Sequence, residues 1–301
     1  MIIIEGPDAA GKSTVVEFIK NNSTIPLIKP FYPKKNQLSY YLHSPATYAN
    51  FYLERYYISE LVYPQFKPNR VKMEPWHQYL IEAGLMPFAP IILYVRPAKE
   101  TIYENIKNRG DDYINIDEVD AMIQYYDKTI EKSYLARYVY DYKLNDLCSF
   151  LHMIESYYEF FLEQIKPFKK FLFSGDCESE NSLMFIGDMP SNQSIGNGYL
   201  RAFISDKGSS EFLHKCLYEA GFYPNKIMPY FTNWNKCENN YKLNLKALEE
   251  EIELLKPRKI IFFNKDIQKK VGIGEVLEHP SYVKRFHSKN YTWYIEKLKN
   301  L

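Results

Sequence analysis

Two α/β halves, each wrapped around a mainly parallel sheet, are what this sequence predicts. Three observations carry that expectation. Short apolar, β-branched runs alternate with amphipathic segments, which is how strand–helix–strand units read. A glycine-rich loop follows the first of these runs directly. The alternation then restarts after a polar, acidic stretch, Ser174 to Ser182, that reads as a linker. The expected boundaries are 1–170 for the first domain and 180–301 for the second.

The elements follow in order. Residues 1–5, MIIIE, form a buried strand that enters glycines. A helix over 13–20 buries Val15, Val16, Phe18 and Ile19. A second strand falls at 25–28 and a third at 49–53, with the aromatic, Pro-dotted stretch between them unassigned. A helix over 57–66, a strand over 91–95 (IILYV), a helix over 99–107 and another over 117–135 come next. A strand at 138–142 and a long aromatic amphipathic helix at 145–165 complete the first half. In the second half, strands are expected at 183–186, 226–231 and 259–263. Helices are expected at 211–220 and 245–255, the latter with a carboxylate-rich outer face.

Composition narrows the function class. With 38 Lys plus Arg against 37 Asp plus Glu in 301 residues, no broadly basic coat exists for nucleic acid, although a local basic groove is compatible. Aromatic residues are 17% of the chain, which leaves rings for stacking as well as for packing. The four cysteines show no CxxC spacing, so a zinc knuckle or redox pair is not expected and a reduced, cytoplasmic setting is. The apolar run at the N-terminus is too short for a signal peptide, and no stretch approaches a membrane span.

Gly6-Pro7-Asp8-Ala9-Ala10-Gly11-Lys12-Ser13 satisfies every fixed position of G-x-x-x-x-G-K-[ST], and Thr14 continues it. The two glycines let main chain wrap phosphate oxygens, and the amides with the helix N-terminus supply positive potential. Lys12 is positioned to neutralise the β- and γ-phosphates, and the Ser13 hydroxyl to ligate Mg²⁺. ATP and Mg²⁺ are therefore the expected cofactors.

The loop resembles that of the P-loop thymidylate kinase and deoxynucleoside kinase group. Glu54-Arg55-Tyr56, after an expected strand, is similar to the group's acid-Arg triplet. The resemblance implies Glu54 as general base or metal organiser and Arg55 as a phosphate clamp. It further implies a lid arginine at Arg109, within KNRGDD. The thymine-reading residues of thymidylate kinases do not map onto the stretch between the second and third strands, so the acceptor stays open.

Three pieces of the second half resemble the uracil-DNA glycosylase superfamily, in the right chain order. They are Gly187-Asp188-Met189-Pro190-Ser191, Phe231-Thr232-Asn233 and His279-Pro280-Ser281. The resemblance implies a flipped-base pocket in which Asp188 activates water, Asn233 reads the pyrimidine edge and His279 stabilises charge on the base. Ser281 opens the loop that grips DNA, and Tyr199 or Phe203 supplies a stacking ring. Lys284, Arg285, His287 and Lys289 form a local basic cluster.

The pair of halves is similar to bacteriophage 5-hydroxymethyluracil DNA kinases. That implies phosphoryl transfer to a pyrimidine hydroxyl within DNA, with localisation in a host cytoplasm. Two alternatives stand beside it: a free-nucleotide kinase of the thymidylate type, and a working glycosylase with a nucleotide-binding partner domain.

Overall fold

The computed structural model describes residues 1–30, 37–48, 50–67, 69–109, 116–177, 182–190, 201–236 and 240–301. Among these, the chain divides into two units: Met1–Gln78 with Phe88–Leu162, and Tyr79–Pro87 with Glu163–Leu301. The α/β class holds in both.

The first unit holds a five-stranded parallel sheet, β1 (Ile2–Glu5), β2 (Leu27–Ile28), β3 (Tyr52–Glu54), β4 (Ile91–Val95) and β5 (Ala136–Tyr140), in the order β2-β3-β1-β4-β5. Its central strand β1 is buried throughout and pairs Ile4 with Glu54 on one side and with Leu93 on the other. Its helices in chain order are α1 (Lys12–Asn22), α2 (Gln37–His43), α3 (Pro45–Tyr48), α4 (Tyr57–Val62), α6 (Lys99–Arg109), α7 (Val119–Glu131) and α8 (Leu147–Ile165), the last as far as Leu162, while α5 (Pro75–Leu85) belongs from Tyr79 onward to the second unit. Val15, Val16 and Ile19 of α1 are buried, as the apolar periodicity requires.

The second unit holds β6 (Ser174–Gly175), β7 (Leu183–Gly187), β8 (Tyr230–Asn233), β9 (Lys259–Phe262) and β10 (Glu275–Val276), in the order β10-β9-β7-β8-β6. All its pairings are parallel except β6 with β8. Its helices are α9 (Gly208–Glu219), α10 (Tyr241–Leu255), α11 (Lys265–Val271), α12 (Pro280–Phe286) and α13 (Thr292–Lys299).

Several expectations are corrected. The stretch expected to be a linker instead begins with a buried strand, β6. Its small residues serve close approach: a Cβ on Gly175, at φ +79°, would sit 1.9 Å from the Pro229 carbonyl oxygen. The Ser174 hydroxyl donates to the Ala202 carbonyl at 2.5 Å. The strand expected from residue 226 starts only at Tyr230, because Pro229 has no N–H to give a ladder. The α10 face is not uniformly exposed: Glu249, Glu250 and Glu253 face solvent but Glu251 is fully buried. Helices α2, α3 and α5 were not foreseen. The strands expected at 49–53 and 138–142 occupy Tyr52–Glu54 and Ala136–Tyr140.

Candidate functional site

In an open parallel sheet, ligand sites form outside the carboxyl ends of the strands. In the first unit β1 ends at Glu5 and runs straight into the glycine-rich loop. A Cβ on Gly6 would lie 2.4 Å from the Val95 carbonyl oxygen, so only glycine lets the loop leave the sheet here. Gly11 takes the left-handed conformation, φ +91°, with the Tyr142 ring against it. Asn105 of α6 donates to the Ala9 carbonyl at 2.7 Å and to the Tyr142 hydroxyl at 3.1 Å, bracing the loop from outside. The Thr14 and Val15 amides of the first turn of α1 bond back to the Gly11 carbonyl at 3.1 and 3.3 Å, and the N-terminus of the helix adds positive potential at the loop. Ser13 and Thr14 are exposed. The Lys12 ammonium lies inside, donating to the Gly6 carbonyl at 2.8 Å and to the Pro7 carbonyl. Burial, reinforced by the Arg55 charge, holds its pKa well below the ordinary lysine range. These residues fit a nucleoside triphosphate with its Mg²⁺: a cradle a Cβ would fill, a helix N-terminus, a buried lysine and an exposed serine hydroxyl.

Beside the loop lies a cavity of about 300 Å³ that Asp8, Glu54, Arg55, Tyr56, Glu60 and Arg70 help to line. Arg55 adopts φ +62° between β3 and α4, which turns its guanidinium under the loop. There it pairs with Asp8 and donates to the Tyr63 hydroxyl at 2.8 Å and to Ser59 and Tyr126 at 3.3 Å. Burial alone would raise Asp8, but the Arg55 and Lys12 charges outweigh it and hold the carboxyl below its usual range. Glu54 ends β3 and pairs loosely with Lys29 at 3.5 Å. Glu5, missed by the sequence reading, is fully buried. It accepts from the Tyr56 amide at 2.7 Å and the Ser59 hydroxyl at 2.6 Å, stitching β1 to α4, and burial raises its pKa. Arg109 is the exposed last residue of α6 and is not among the residues lining this cavity, while 110–115 lie outside the described residues.

Glu60 pairs with Arg70 at 3.2 Å inside the cavity, and burial pushes its pKa up to about 7 against the pull of Arg70. A folded-state pKa above the unfolded value means stability is greatest below the unfolded pKa and is lost as pH rises through about 7. Glu60→Gln is therefore expected to lose about 1–3 kcal/mol less stability than the parent between pH 4 and pH 8, whatever its offset from losing the Arg70 pair. Denaturant unfolding at several pH values measures this, and an unchanged pH dependence contradicts it.

The second unit gathers its own site by register. Gly187 at the end of β7 pairs with Asn233 at the end of β8, so Asp188 and Asn233 emerge side by side. Ladder-like bonds continue past both ends: Trp234 N–H to the Gly187 carbonyl at 2.8 Å, and Asn235 N–H to the Asp188 carbonyl at 2.9 Å. A Cβ on Gly187 would lie 2.6 Å from Asn233 Oδ1 and 2.9 Å from the Phe203 ring, so glycine keeps this corner open. Asp188, Asn233, His279, Ser281 and Phe203 line one cavity of about 320 Å³, together with Arg201 and Lys207. His279 caps α12: its Nδ1 accepts from the Ser281 amide at 3.1 Å. That leaves the proton of the neutral ring on Nε2. Burial lowers the His279 pKa while Asp188 opposes. Phe203 sits at φ +54°, packed edge-on against Phe263 at 5.2 Å. Ser210 of α9 fixes that turn, donating to the Phe203 carbonyl and accepting from the Ser205 amide.

Tyr199 falls outside the described residues. The basic cluster after His279 is exposed and does not line the cavity. Lys284 is instead tied to Glu211 at 3.3 Å. Arg201 and Lys207 were missed because they are isolated basic residues in no motif.

Comparison with known proteins bears on both halves. Residues 174–300 match the uracil DNA glycosylase superfamily. The glycosylase-like unit thus covers the second sheet and all three segments around its cavity. The chain is also similar to a SPbeta prophage-derived uncharacterized protein, YorR, of Bacillus subtilis (strain 168). The two are 28% identical over 147 residues, which is 47% of this chain and 88% of that protein. The YorR crystal structure, in complex with phosphorylated GDP, aligns with a TM-score of 0.45 and 22% identity, covering 51% of this chain and 95% of that one. Deoxyadenosine kinase from M. mycoides with bound dCTP aligns with a TM-score of 0.35 and 18% identity, covering 52% and 97%. No helix among the described residues is long and apolar enough to cross a membrane.

Proposed function

We propose that this protein is an ATP-dependent phosphotransferase that places the γ-phosphate on a hydroxyl of a pyrimidine deoxynucleotide, with 5-hydroxymethyluracil in DNA as the favoured acceptor. The observation that carries the reading is the convergence of Asp188, Asn233, Phe203 and His279 on one cavity, in a chain whose other unit holds a complete phosphate loop. The glycosylase-like unit holds the DNA. It senses a flipped pyrimidine before transfer: Asn233 reads the edge, Phe203 stacks on the ring, and the neutral His279 donates from Nε2.

In the phosphate-loop unit the hydroxymethyl oxygen attacks the γ-phosphorus. A new phosphorus–oxygen bond forms, the bond to the β–γ bridging oxygen breaks, and ADP leaves. Glu54 takes the hydroxyl proton. Lys12 and Arg55 offset charge on the phosphates, and Ser13 would hold Mg²⁺, which would supply further counter-charge to them. Little covalent work falls to the protein, which fits a site made of positioned charges. Arg109 remains the candidate lid arginine. The ATP requirement fits a cytoplasmic setting.

The test is transfer of labelled γ-phosphate to duplex DNA containing 5-hydroxymethyluracil, beside the free nucleotide and ordinary DNA. Label is expected in the modified DNA, and Asn233→Ala is expected to lower it by about 10- to 100-fold while ATP binding is kept. Label confined to the free nucleotide points to the thymidylate-type kinase. Abasic sites without label point to a glycosylase.

A further inference from the structure

We propose that α5, which lies between β3 and β4 in the chain, sets the stacking ring of the glycosylase-like cavity, with Gly84 and Tyr79 as positioning residues for Phe203. This rests on the base-pocket reading above. It adds to that pocket two residues that lie outside the matched segment 174–300.

From Tyr79 onward α5 belongs to the second unit. Its sequence there, YLIEAGL, is apolar apart from Glu82, and Tyr79, Leu80, Ile81, Ala83 and Leu85 are all buried. A helix that is apolar all round sits inside a core, and a close-packed core leaves it no room to retreat. Gly84 lies within the helix and does not take a left-handed φ, so it is not there to end it. What its missing side chain permits is close approach. A Cβ on Gly84 would lie 3.3 Å from Ile204 Cγ2 and 3.6 Å from its Cδ1. Ile204 is itself buried and directly follows Phe203.

The start of the same stretch reaches the same turn by another route. The Tyr79 ring stacks on Tyr223 at 4.8 Å and on Tyr218 at 6.0 Å. Tyr223 stacks in turn on His214 at 6.0 Å, with its hydroxyl 3.2 Å from Nδ1. His214 follows Ser210 by four residues on α9, so the two share a helix face. Ser210 is the residue that donates to the Phe203 carbonyl.

Phe203 needs such support. Its φ of +54° is one that a residue with a bulky side chain holds only where its surroundings fix it. Its ring lines the cavity beside Asn233 and His279. A methyl group added at residue 84 would press on Ile204. With α5 locked in the core, the displacement falls on the turn and carries the Phe203 ring with it.

The test uses the intact 301-residue chain and a duplex in which 5-hydroxymethyluracil lies beside 2-aminopurine. The fluorescence of 2-aminopurine rises when its neighbour leaves the stack, so the amplitude at saturating protein gives the ratio of flipped to stacked base. Gly84→Ala is expected to lower that ratio by about fivefold. Affinity for ordinary duplex DNA and for ATP is expected to stay within about twofold, a separation that general loss of structure would not produce. Adding Ile204→Val conserves volume across the contact and is expected to restore the parental ratio. Tyr79→Phe keeps the stack and should match the parent, whereas Tyr79→Leu should lower the ratio, and this pair carries the comparison if Gly84→Ala does not fold. An unchanged ratio in Gly84→Ala overturns the proposal, as does a parallel fall in ordinary DNA affinity or no restoration by Ile204→Val. No rise in the parent overturns it together with the base-pocket reading. A rise in the parent that Gly84→Ala leaves intact sinks this inference alone.

Discussion

Lys12→Met is expected to lower kcat/KM for phosphoryl transfer by about 100- to 1,000-fold. The side chain is buried, and its ammonium rests on the carbonyls of Gly6 and Pro7 at the centre of the loop. Methionine keeps most of the volume and loses the charge, so the loss falls on the electrostatic contribution rather than on packing. A companion measurement isolates the charge. Burial, then Arg55, depresses the Lys12 pKa in the nucleotide-free protein. Phosphates arriving at the loop favour the protonated amine. ATP affinity should therefore fall with rising pH more steeply in the parent than in Lys12→Met, which titration at several pH values measures. Parental transfer rates in the variant would remove the loop from the chemistry.

Glu251→Ala is expected to destabilise the glycosylase-like unit by about 3–5 kcal/mol. Glu251 is fully buried on α10, where it accepts from the Tyr230 hydroxyl at 2.6 Å and pairs with Lys236. Lys236 also donates to the Thr232 hydroxyl. The network ties α10 to both ends of β8, and Thr232 immediately precedes Asn233. Deleting the carboxylate strands a buried ammonium and frees the strand that places the Asn233 amide. Replacing Lys236 by Met and Glu251 by Leu together leaves no stranded charge, so that double variant should lie within about 2 kcal/mol of the parent. Denaturant unfolding separates the cases. A Glu251→Ala protein of parental stability would show that the pair contributes nothing net.

Much of this architecture was legible beforehand, for identifiable reasons. Strands such as IILYV at 91–95 and LMFIG at 183–187 are buried on both faces, so their runs of apolar residues are unbroken. The phosphate loop is local: its glycines and lysine act within one turn of chain, so spacing alone specifies it. Asp188, Asn233, His279 and Ser281 were nameable because each sits in a short segment at a strand end, and the structure brings all four to one cavity.

What escaped the sequence did so because its meaning is not local. Ser174 and Gly175 read as linker by composition, yet they are a strand whose smallness lets β6 close on Pro229. Glu251 reads as one more surface carboxylate among Glu249, Glu250 and Glu253, and only Lys236 and Tyr230 explain why it alone turns inward. Glu60 and Arg70 lie ten residues apart in no motif, on either side of a turn after α4, and become a pair only inside the cavity.

The sequence by itself determined that this chain carries a phosphate loop and the strand-end segments that line the second unit's cavity, because each lies in a short stretch of chain. Tertiary structure alone decided which charges are already spent on one another. Whether Arg55, Arg70 or Lys236 is available to a ligand depends on the carboxylate that folding brings against it, and chain order says nothing about that distance.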